Sequence, residues 1–259
     1  MKKRFAFIAI PLILTLLLLG SYLHKPKSSE TLTPNIKSPK QEEKTIGDHF
    51  KELFGKPFEE TCKSNPDPVF TYHITDTTKI NSIVIPPNFI GGDLKTHSYI
   101  ETDFARVPIY APIDMTLDRG SFYTHGPYRL DFEVSCEVML RFMHITEPIE
   151  SIRNVFPDEP APAGDSKDQP LKNEIDFKAG DLIGYTTGTY LAGNWDFGVY
   201  NSTKENKYAK DEKFKWSTIY TTATCPYDYF SPELKAEYEK NYNQRINSGA
   251  KPDGESFCK

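Results

Sequence analysis

Cysteine and histidine are the residue types in this chain with the most direct chemistry. The cysteines are Cys62, Cys136, Cys225 and Cys258. None of them forms a Cys-x-x-Cys pair, which argues against a zinc ribbon or a thioredoxin-like redox site. If the apolar N-terminal run over residues 5–23 sends the body out of the cytoplasm, these four cysteines predict two disulfides, for which three pairings exist. The Cys225–Cys258 pairing is favoured because it would hold the C-terminal tail against the body, and Cys62–Cys136 is then the remaining pair.

The chain lacks the short motifs of common active sites. It contains no glycine-rich phosphate loop, no nucleophile elbow and no His-Glu-x-x-His. His49, His73 and His125 have no spacing typical of metal ligands. Four short phrases nevertheless occur in a definite order, namely HSYIETDFARVPIYAPIDMTL at 97–117, VMLRFMHI at 138–145, FKAGDLIGYTTGT at 177–189 and NWDFGVYN at 194–201.

These phrases resemble the lysostaphin-type, LytM-like zinc endopeptidases, which cut peptidoglycan cross-bridges. That family carries His-x-x-x-Asp before a PVYAPADGTV-like strand, then a Gly-His pair, and finally an HLHFEV-like strand. The resemblance covers about residues 91–201, and its most specific parts are VPIYAPID and FKAGDLIGYTTGT. It implies the duplicated-hybrid-motif fold, which is mainly β and of the antiparallel barrel or sandwich type, here with a short C-terminal helix. The scaffold alone says little about catalysis.

The resemblance also implies a site. His97, Asp103 and Asp196 stand at or near the metal-ligand positions of the family, and His144 stands at the histidine of the Gly-His pair. Met143 replaces the glycine of that pair. A metal held by one histidine and two carboxylates would favour Mn or Mg over tetrahedral zinc.

Several positions depart from the family pattern. Asp103 lies six residues after His97, where the family uses four, so the spacing points to Tyr99 instead. Asn194 and Asp196 occupy the positions of the two final histidines of the family. An amide cannot act as a base, so the water-activating group is missing. Tyr99 and Asn194 are therefore assigned to a pocket, and the chain is interpreted as a degenerate member.

Each candidate residue also has a structural interpretation. His97 and Asp103 could be exposed loop residues, and His144 could be a hydrogen-bonded core histidine. Asp196 could cap a turn or pair with a nearby cation. Without a metal, the clustered carboxylates should favour protonation of one of them or pairing with His144. On the family pattern, His97, Asp103, His144 and Asp196 are expected to approach one another at a cleft.

The elements that position these residues follow from hydrophobic periodicity. Apolar residues occupy every second position over residues 129–144, which predicts one long strand, bent or shared between sheets. His144 continues the inward parity of that strand. Further strands are predicted over 69–75, 80–85, 107–111, 176–189 and 195–201, and helical segments over 45–58, 149–156 and 231–247. Residues 157–170 form an acidic, proline-rich loop between these elements.

The N-terminus predicts a membrane segment. Lys2, Lys3 and Arg4 precede an apolar run over residues 5–23, which as a helix would span about 28 Å. An uncleaved signal anchor is preferred to a cleaved secretory signal because no small-residue cleavage pair follows. The positive flank then stays inside, which makes the chain a single-pass membrane protein with an extracytoplasmic body. Cleavage would instead give a secreted protein.

The remaining organisation follows from composition. Residues 24–46 form a polar tether, and residues 47–90 an N-terminal extension with a short helix and strands. The β domain covers 91–201, and a C-terminal appendix covers 202–259. The first 46 residues hold eight Lys and Arg and three Asp and Glu, out of totals of 31 and 36. The remainder is therefore acidic, which argues against nucleic-acid binding.

Three functions are compatible with these features. The first is a membrane-tethered, non-catalytic domain that binds cell-wall peptidoglycan or an extracytoplasmic protein. The second is an active metallohydrolase with a rearranged zinc or manganese site. The third is a carbohydrate-binding or structural module. The missing histidine pair and the acidic body favour the first, for which no cofactor is expected.

Overall fold

Alternation of apolar and polar residues builds the central sheet, which we describe from a computed structural model of residues 62–243 and 251–258. These residues belong to one structural unit, Phe58–Lys259. The predicted signal anchor, the tether and the helix over 45–58 lie outside the described residues. Within the described part, no helix is long and apolar enough to cross a membrane.

Strands dominate the fold, as the hydrophobic periodicity predicts. The strands are β1 (Ser82–Val84), β2 (Asn88–Ile90), β3 (Asp93–Lys95), β4 (Ser98–Glu101), β5 (Val107–Tyr110), β6 (Met115–Phe122), β7 (Tyr128–Glu133), β8 (Val138–Ile145), β9 (Glu147–Pro148), β10 (Ile175–Phe177), β11 (Leu182–Thr186), β12 (Asn194–Asn201), β13 (Ala223–Thr224) and β14 (Lys251–Pro252). The α-helices are α1 (Glu150–Val155), α2 (Thr218–Thr221) and α3 (Pro232–Glu239), and 3-10 turns cover Thr77–Lys79, Lys207–Lys210 and Pro226–Tyr229. The mainly β prediction is confirmed.

The strands form three antiparallel sheets. The central sheet has eight strands in the order β1-β4-β12-β8-β7-β6-β10, and β13 pairs with β12 beside this path. The second sheet has the order β5-β11-β9, and the third has the order β14-β2-β3. Because β12 lies between β4 and β8, residues from three predicted phrases meet on neighbouring strands.

The central sheet has one apolar face and one polar face. Trp195, Phe197 and Val199 of β12 pack into the main core with Phe142 of β8. The rings of Phe142 and Phe197 stack with their centroids 5.4 Å apart. Burial of each such side chain contributes about 1.5–3 kcal/mol to folding. Successive residues of a strand point to opposite faces, so the residues between these core positions line the other side, which we call the polar face.

The pattern over residues 129–144 is a hairpin, not one long strand. Its two strands are β7 and β8, and the turn between them contains Ser135 and Cys136. The Ser135 hydroxyl accepts hydrogen bonds from the backbone N–H groups of Glu137 and Val138, which supports a turn. Cys136 is fixed by a disulfide to Cys62. The apolar alternation crosses the turn because both strands face the same core.

Other predicted elements differ in extent. The predicted strand over 69–75 contributes only a bridge between Phe70 and Phe230. The C-terminal helix ends at Glu239, short of the predicted 247, whose last residues lie outside the described part. The chain stops being helical there because it pairs with β1. The carbonyl of Asn241 accepts from the N–H of Ile83, and the N–H of Asn243 donates back to the Ile83 carbonyl.

Both expected disulfides are present. Cys62 is bonded to Cys136, and Cys225 to Cys258. The second bond joins the C-terminal segment to the start of the turn Pro226–Tyr229, and both of its cysteines are buried in the main core. It therefore fixes the tail at a point where the appendix covers the central sheet.

Removal of the Cys225–Cys258 bond should destabilise the fold. The bond closes a separation of 33 residues. In the chain-entropy model the double variant Cys225→Ala/Cys258→Ala should lose about 3–4 kcal/mol of unfolding free energy, measured by urea denaturation. The double variant Cys62→Ala/Cys136→Ala is the comparison, and its separation of 74 residues predicts a slightly larger loss. A first variant as stable as the native protein would contradict the prediction.

Candidate functional site

A carboxylate between two imidazoles marks the centre of the polar face. The Oδ2 atom of Asp196 lies 3.2 Å from Nε2 of His97 and 3.4 Å from Nε2 of His144. We call these three side chains the imidazole–carboxylate cluster. Asp196 lies in the middle of β12, directly opposite Tyr99 on β4 and Met143 on β8. Its side chain is 3% exposed, whereas those of His97 and His144 are 12% and 18% exposed.

His144 reaches the cluster through a β-bulge. Tyr128 pairs with Ile145 and Arg129 pairs with Met143, so His144 is an extra residue on β8. Its φ of 65° is in the left-handed region. The bulge reverses the side-chain direction, and His144 contacts Asp196 on the polar face. The prediction that His144 shares the inward face of the strand is therefore wrong, because strict alternation fails at the inserted residue.

The hydrogen bonds of His144 favour its protonated form. Nδ1 lies 2.7 Å from the Gly126 carbonyl oxygen, which can only accept, so Nδ1 carries a proton. Nε2 then faces the Asp196 carboxylate, and a second proton there completes the contact. Burial alone would lower the pKa of His144, but Asp196 and the Gly126 carbonyl raise it above its ordinary value. An imidazolium held in this way has no lone pair to act as a base.

Asp196 is ionised because the imidazoles compensate its burial. Burial alone would raise the pKa of the Asp196 carboxyl, but His97 and His144 hold it well below its ordinary value. The other oxygen, Oδ1, is buried and has no hydrogen-bond partner among the described residues. Burial, and then the charge of Asp196, raise the pKa of Tyr99, which keeps that phenol neutral.

His97 enters the cluster beside a glycine. It directly precedes β4, and its ring packs edge-on against that of Tyr99 with centroids 5.2 Å apart. A Cβ atom on Gly198 would lie 3.1 Å from the Cβ of His97 and 3.0 Å from the Tyr200 hydroxyl. Gly198 therefore provides the space in which His97 approaches Asp196. Both His97 and Tyr99, the two sequence candidates for this position, lie at the cluster.

Asp103 is not part of the cluster. Its side chain is exposed, and it lies within ion-pair distance of neither cluster histidine. The chain turns away directly after β4, where the N–H of Thr102 donates to the Gly193 carbonyl and Asp103 adopts a φ of 49°. The expectation that Asp103 approaches the other three residues is not met. The turn at Thr102 directs its carboxylate to solvent.

Asn194 has a structural role. Its side-chain oxygen accepts a hydrogen bond of 2.9 Å from the Thr189 hydroxyl, and the residue is buried. The backbone N–H of Thr189 also donates to the Asn194 carbonyl. These contacts close the loop between β11 and β12. The side-chain oxygen of Asn194 is therefore occupied by the Thr189 hydroxyl. An amide is in any case unable to act as a base.

The geometry of the cluster does not match a three-ligand metal site. Across the described ranges, no group of three or more His, Cys, Asp or Glu side chains has the geometry to hold a metal ion. Asp103 points away, and Asp196 is the cluster's sole carboxylate. A hydrolytic zinc keeps three protein ligands and an activated water. The cluster has two imidazoles and one carboxylate, which are zinc-ligand types, but both imidazole Nε2 atoms face the Asp196 oxygen and not a shared metal position.

Backbone strain surrounds the cluster. Asp103, Phe104, His125 and His144 are the non-glycine residues with positive φ in the described part of the chain. Asp103 and Phe104 follow β4, and His125 precedes Gly126, whose carbonyl binds His144. Such conformations cost about 1–3 kcal/mol each and concentrate at functional sites. No sequence motif marks His125, Gly126 or Gly198, because neither a bulge partner nor a space-providing glycine has a characteristic pattern.

A separate groove lies on the polar face, and no residue of the imidazole–carboxylate cluster lines it. Its cavity of about 420 Å³ is lined by residues that include Arg119, Glu133, Arg141 and Tyr200. Arg141 lies opposite Gly198 and forms a two-pronged ion pair with Asp131, with N–O distances of 2.6 and 2.7 Å. We call this cavity the polar groove. Its lining carries charges of both signs.

The protonation of His144 predicts a pH-dependent stability. A raised folded-state pKa stabilises the protein below the ordinary histidine value of about 6.5, and this contribution is lost as pH rises through the folded value. In EDTA-treated protein, His144→Gln should therefore lower the unfolding free energy more at pH 5 than at pH 9. His125→Gln, in an exposed histidine, should show no such difference. An equal loss at both pH values for His144→Gln would contradict the assignment.

The space at Gly198 predicts that even a methyl group disturbs the cluster. Gly198→Ala should lower the unfolding free energy by about 1–3 kcal/mol, since His97 and Tyr200 must both move. It should also shift the NMR signals of the His97 ring. Urea denaturation and a histidine-detected spectrum measure the two effects. An alanine variant with native stability and an unchanged His97 signal would show that the space is not required.

Comparison with solved structures finds weak similarities, with low TM-scores and low sequence identity. The chain matches no protein-family model and no curated protein sequence. Helicobacter pylori Csd3, in an orthorhombic crystal, has 14% identity and a TM-score of 0.34 over 67% of this chain. Lysostaphin, from its NMR solution structure, has 15% identity and a TM-score of 0.33 over 66% of this chain. The matches span 40% of Csd3 and 55% of lysostaphin. Similarity at this level does not assign the chain to a family.

Proposed function

We propose that this domain is a non-catalytic, extracytoplasmic binding module, tethered to the membrane, that takes peptide material of the cell wall in its polar groove. The observation that carries the proposal is the pairing of His144 with both Asp196 and the Gly126 carbonyl. His144 uses one ring nitrogen on Gly126 and the other on Asp196. Asn194, at the position of a family histidine, is bound to Thr189. Hydrolysis needs a base that can take a proton from water, and neither residue offers one.

The class of ligand follows from the sequence resemblance and from the groove. The family that the sequence resembles acts on peptidoglycan peptides, which carry both amino and carboxyl groups. The groove presents Arg119 and Arg141 together with Glu133. Glu133 is half-buried and forms no ion pair with another described residue, while burial and then Asp118 and Glu174 raise its pKa. A ligand ammonium group would relieve this repulsion.

The proposed location follows from the N-terminus and the disulfides. The apolar run over residues 5–23 with its basic flank supports a retained anchor. Two disulfides and no free cysteine in the described residues are typical of an oxidising compartment. No resident metal is part of the proposal, and zinc or manganese would be needed only for an active hydrolase.

Co-sedimentation with purified sacculi tests the proposal. The detergent-solubilised full-length protein should sediment with sacculi and release no soluble fragments, with or without added Zn²⁺ or Mn²⁺. Glu133→Gln should raise the apparent dissociation constant for sacculi about tenfold, because a hydrogen bond to a charged group is lost. Glu212→Gln, in an exposed residue paired with Lys215, is the matched control.

Other outcomes identify the alternatives. Release of fragments that requires His144 and bound metal would show an active metallohydrolase. If Glu133→Gln sediments with sacculi as well as the native protein does, the ligand binds outside the polar groove. Absence of sedimentation would refute wall binding and direct attention to a protein partner or a structural role.

A further inference from the structure

A second groove lies on another part of the domain. Its inner cavity, of about 490 Å³, and its outer cavity, of about 430 Å³, share Phe122, Tyr128 and Arg153 in their linings. Neither cavity is lined by a residue of the imidazole–carboxylate cluster or of the polar groove. The inner cavity has the size of a small-molecule site. We call the two cavities together the aromatic groove.

The aromatic groove has a rigid stacked wall. The rings of Phe122 and Tyr128 are nearly parallel, at 10°, with centroids 4.5 Å apart. Tyr128 is buried and rests edge-on against Phe156. Phe122 is half-buried, and Tyr128 covers one of its faces. A ligand would therefore meet the opposite face or the edge of a ring that is already held in place, at little cost in side-chain entropy.

The inner cavity has one uncompensated positive charge. Arg106 and Glu147 neutralise each other through a two-pronged ion pair, and Arg106 also stacks on Tyr185 at 3.6 Å. Arg153 is exposed and forms no ion pair or side-chain hydrogen bond with another described residue. The outer cavity carries Glu150 and Asp158. An anionic group would therefore bind in the inner cavity, beside Arg153.

An extended peptide does not fit the backbone of this groove. Its nearest sheet edge is β9, and Pro148 in that strand has no N–H to donate. The N–H of the next residue, Ile149, is already bonded to the Ile183 carbonyl. Addition of a peptide strand would lack these donors. Recognition must instead use the aromatic face and the side chains.

We propose that the aromatic groove binds a saccharide ring that carries a carboxylate. The C–H bonds on one face of a pyranose pack against an aromatic ring such as Phe122. Its hydroxyl groups can bond to the Arg106–Glu147 pair and to Thr146, and its carboxylate can pair with Arg153. This inference does not rest on the proposed function, because the two sites share no lining residue.

Saturation-transfer NMR with matched sugars tests the site on the full-length protein. Methyl β-glucuronide should bind about tenfold more tightly than methyl β-glucoside, since the carboxylate adds a charge-assisted contact. Arg153→Gln should abolish this preference, and Phe122→Leu should weaken binding of both sugars. Lys178→Gln, at an exposed cation that lines neither groove, should leave both affinities unchanged. N-acetylmuramic acid and N-acetylglucosamine form a second pair that distinguishes a wall sugar from other acidic glycans.

Several results would overturn the proposal. Equal affinity for the two methyl glycosides, a preference retained by Arg153→Gln, or no binding of any sugar would each do so. Arg153 is exposed, so its variant tests the site even if Phe122→Leu loses its fold, which thermal unfolding would reveal. Sacculus binding by Arg153→Gln, measured in parallel, separates failure of this site from failure of the polar groove.

Discussion

The buried carboxylate of Asp196 is the constraint around which the polar face is arranged. An ion of this kind costs several kcal/mol to remove from water unless it is paired. Two imidazoles supply the pairing, and each needs its own backbone device. His144 needs the bulge on β8, and His97 needs the missing side chain at Gly198. The central position of β12 then fixes all three groups, because both neighbouring strands are hydrogen-bonded to it.

The same pairing limits what the site can do. His144 is held at both ring nitrogens, by Gly126 and by Asp196, so its imidazolium has no lone pair with which to activate water. The charged groups of the cluster nevertheless contribute to the polar face of the central sheet, whose other face is apolar. Removal of one partner would leave a buried charge uncompensated. The loss of unfolding free energy would then exceed the stability that the intact pair contributes. A site of this kind is kept by the stability of the fold even where catalysis is absent.

The sequence predicted the architecture better than the site. Mainly β structure follows from aromatic and β-branched residues, and apolar alternation correctly marks Leu140 and Phe142 as core. The same alternation fails at His144, because a bulge adds one residue without any change in composition. It also hides the turn at Ser135, where polar and apolar residues continue to alternate. Asp103 was misplaced because the direction of a loop depends on a tertiary contact to Gly193.

The distribution of charge gives the last step of the argument. The sequence is acidic beyond its first 46 residues, yet in the described part the buried ions are paired locally, as Asp131 is with Arg141. Charges without a partner, such as Glu133 and Arg153, instead line the two grooves. Glu133 is half-buried, so its unpaired charge lowers stability and a fold without ligands gains nothing from it, whereas Arg153 is exposed. In the polar groove and in the aromatic groove a binding partner would complete the pairing, with a cation at Glu133 and an anion at Arg153.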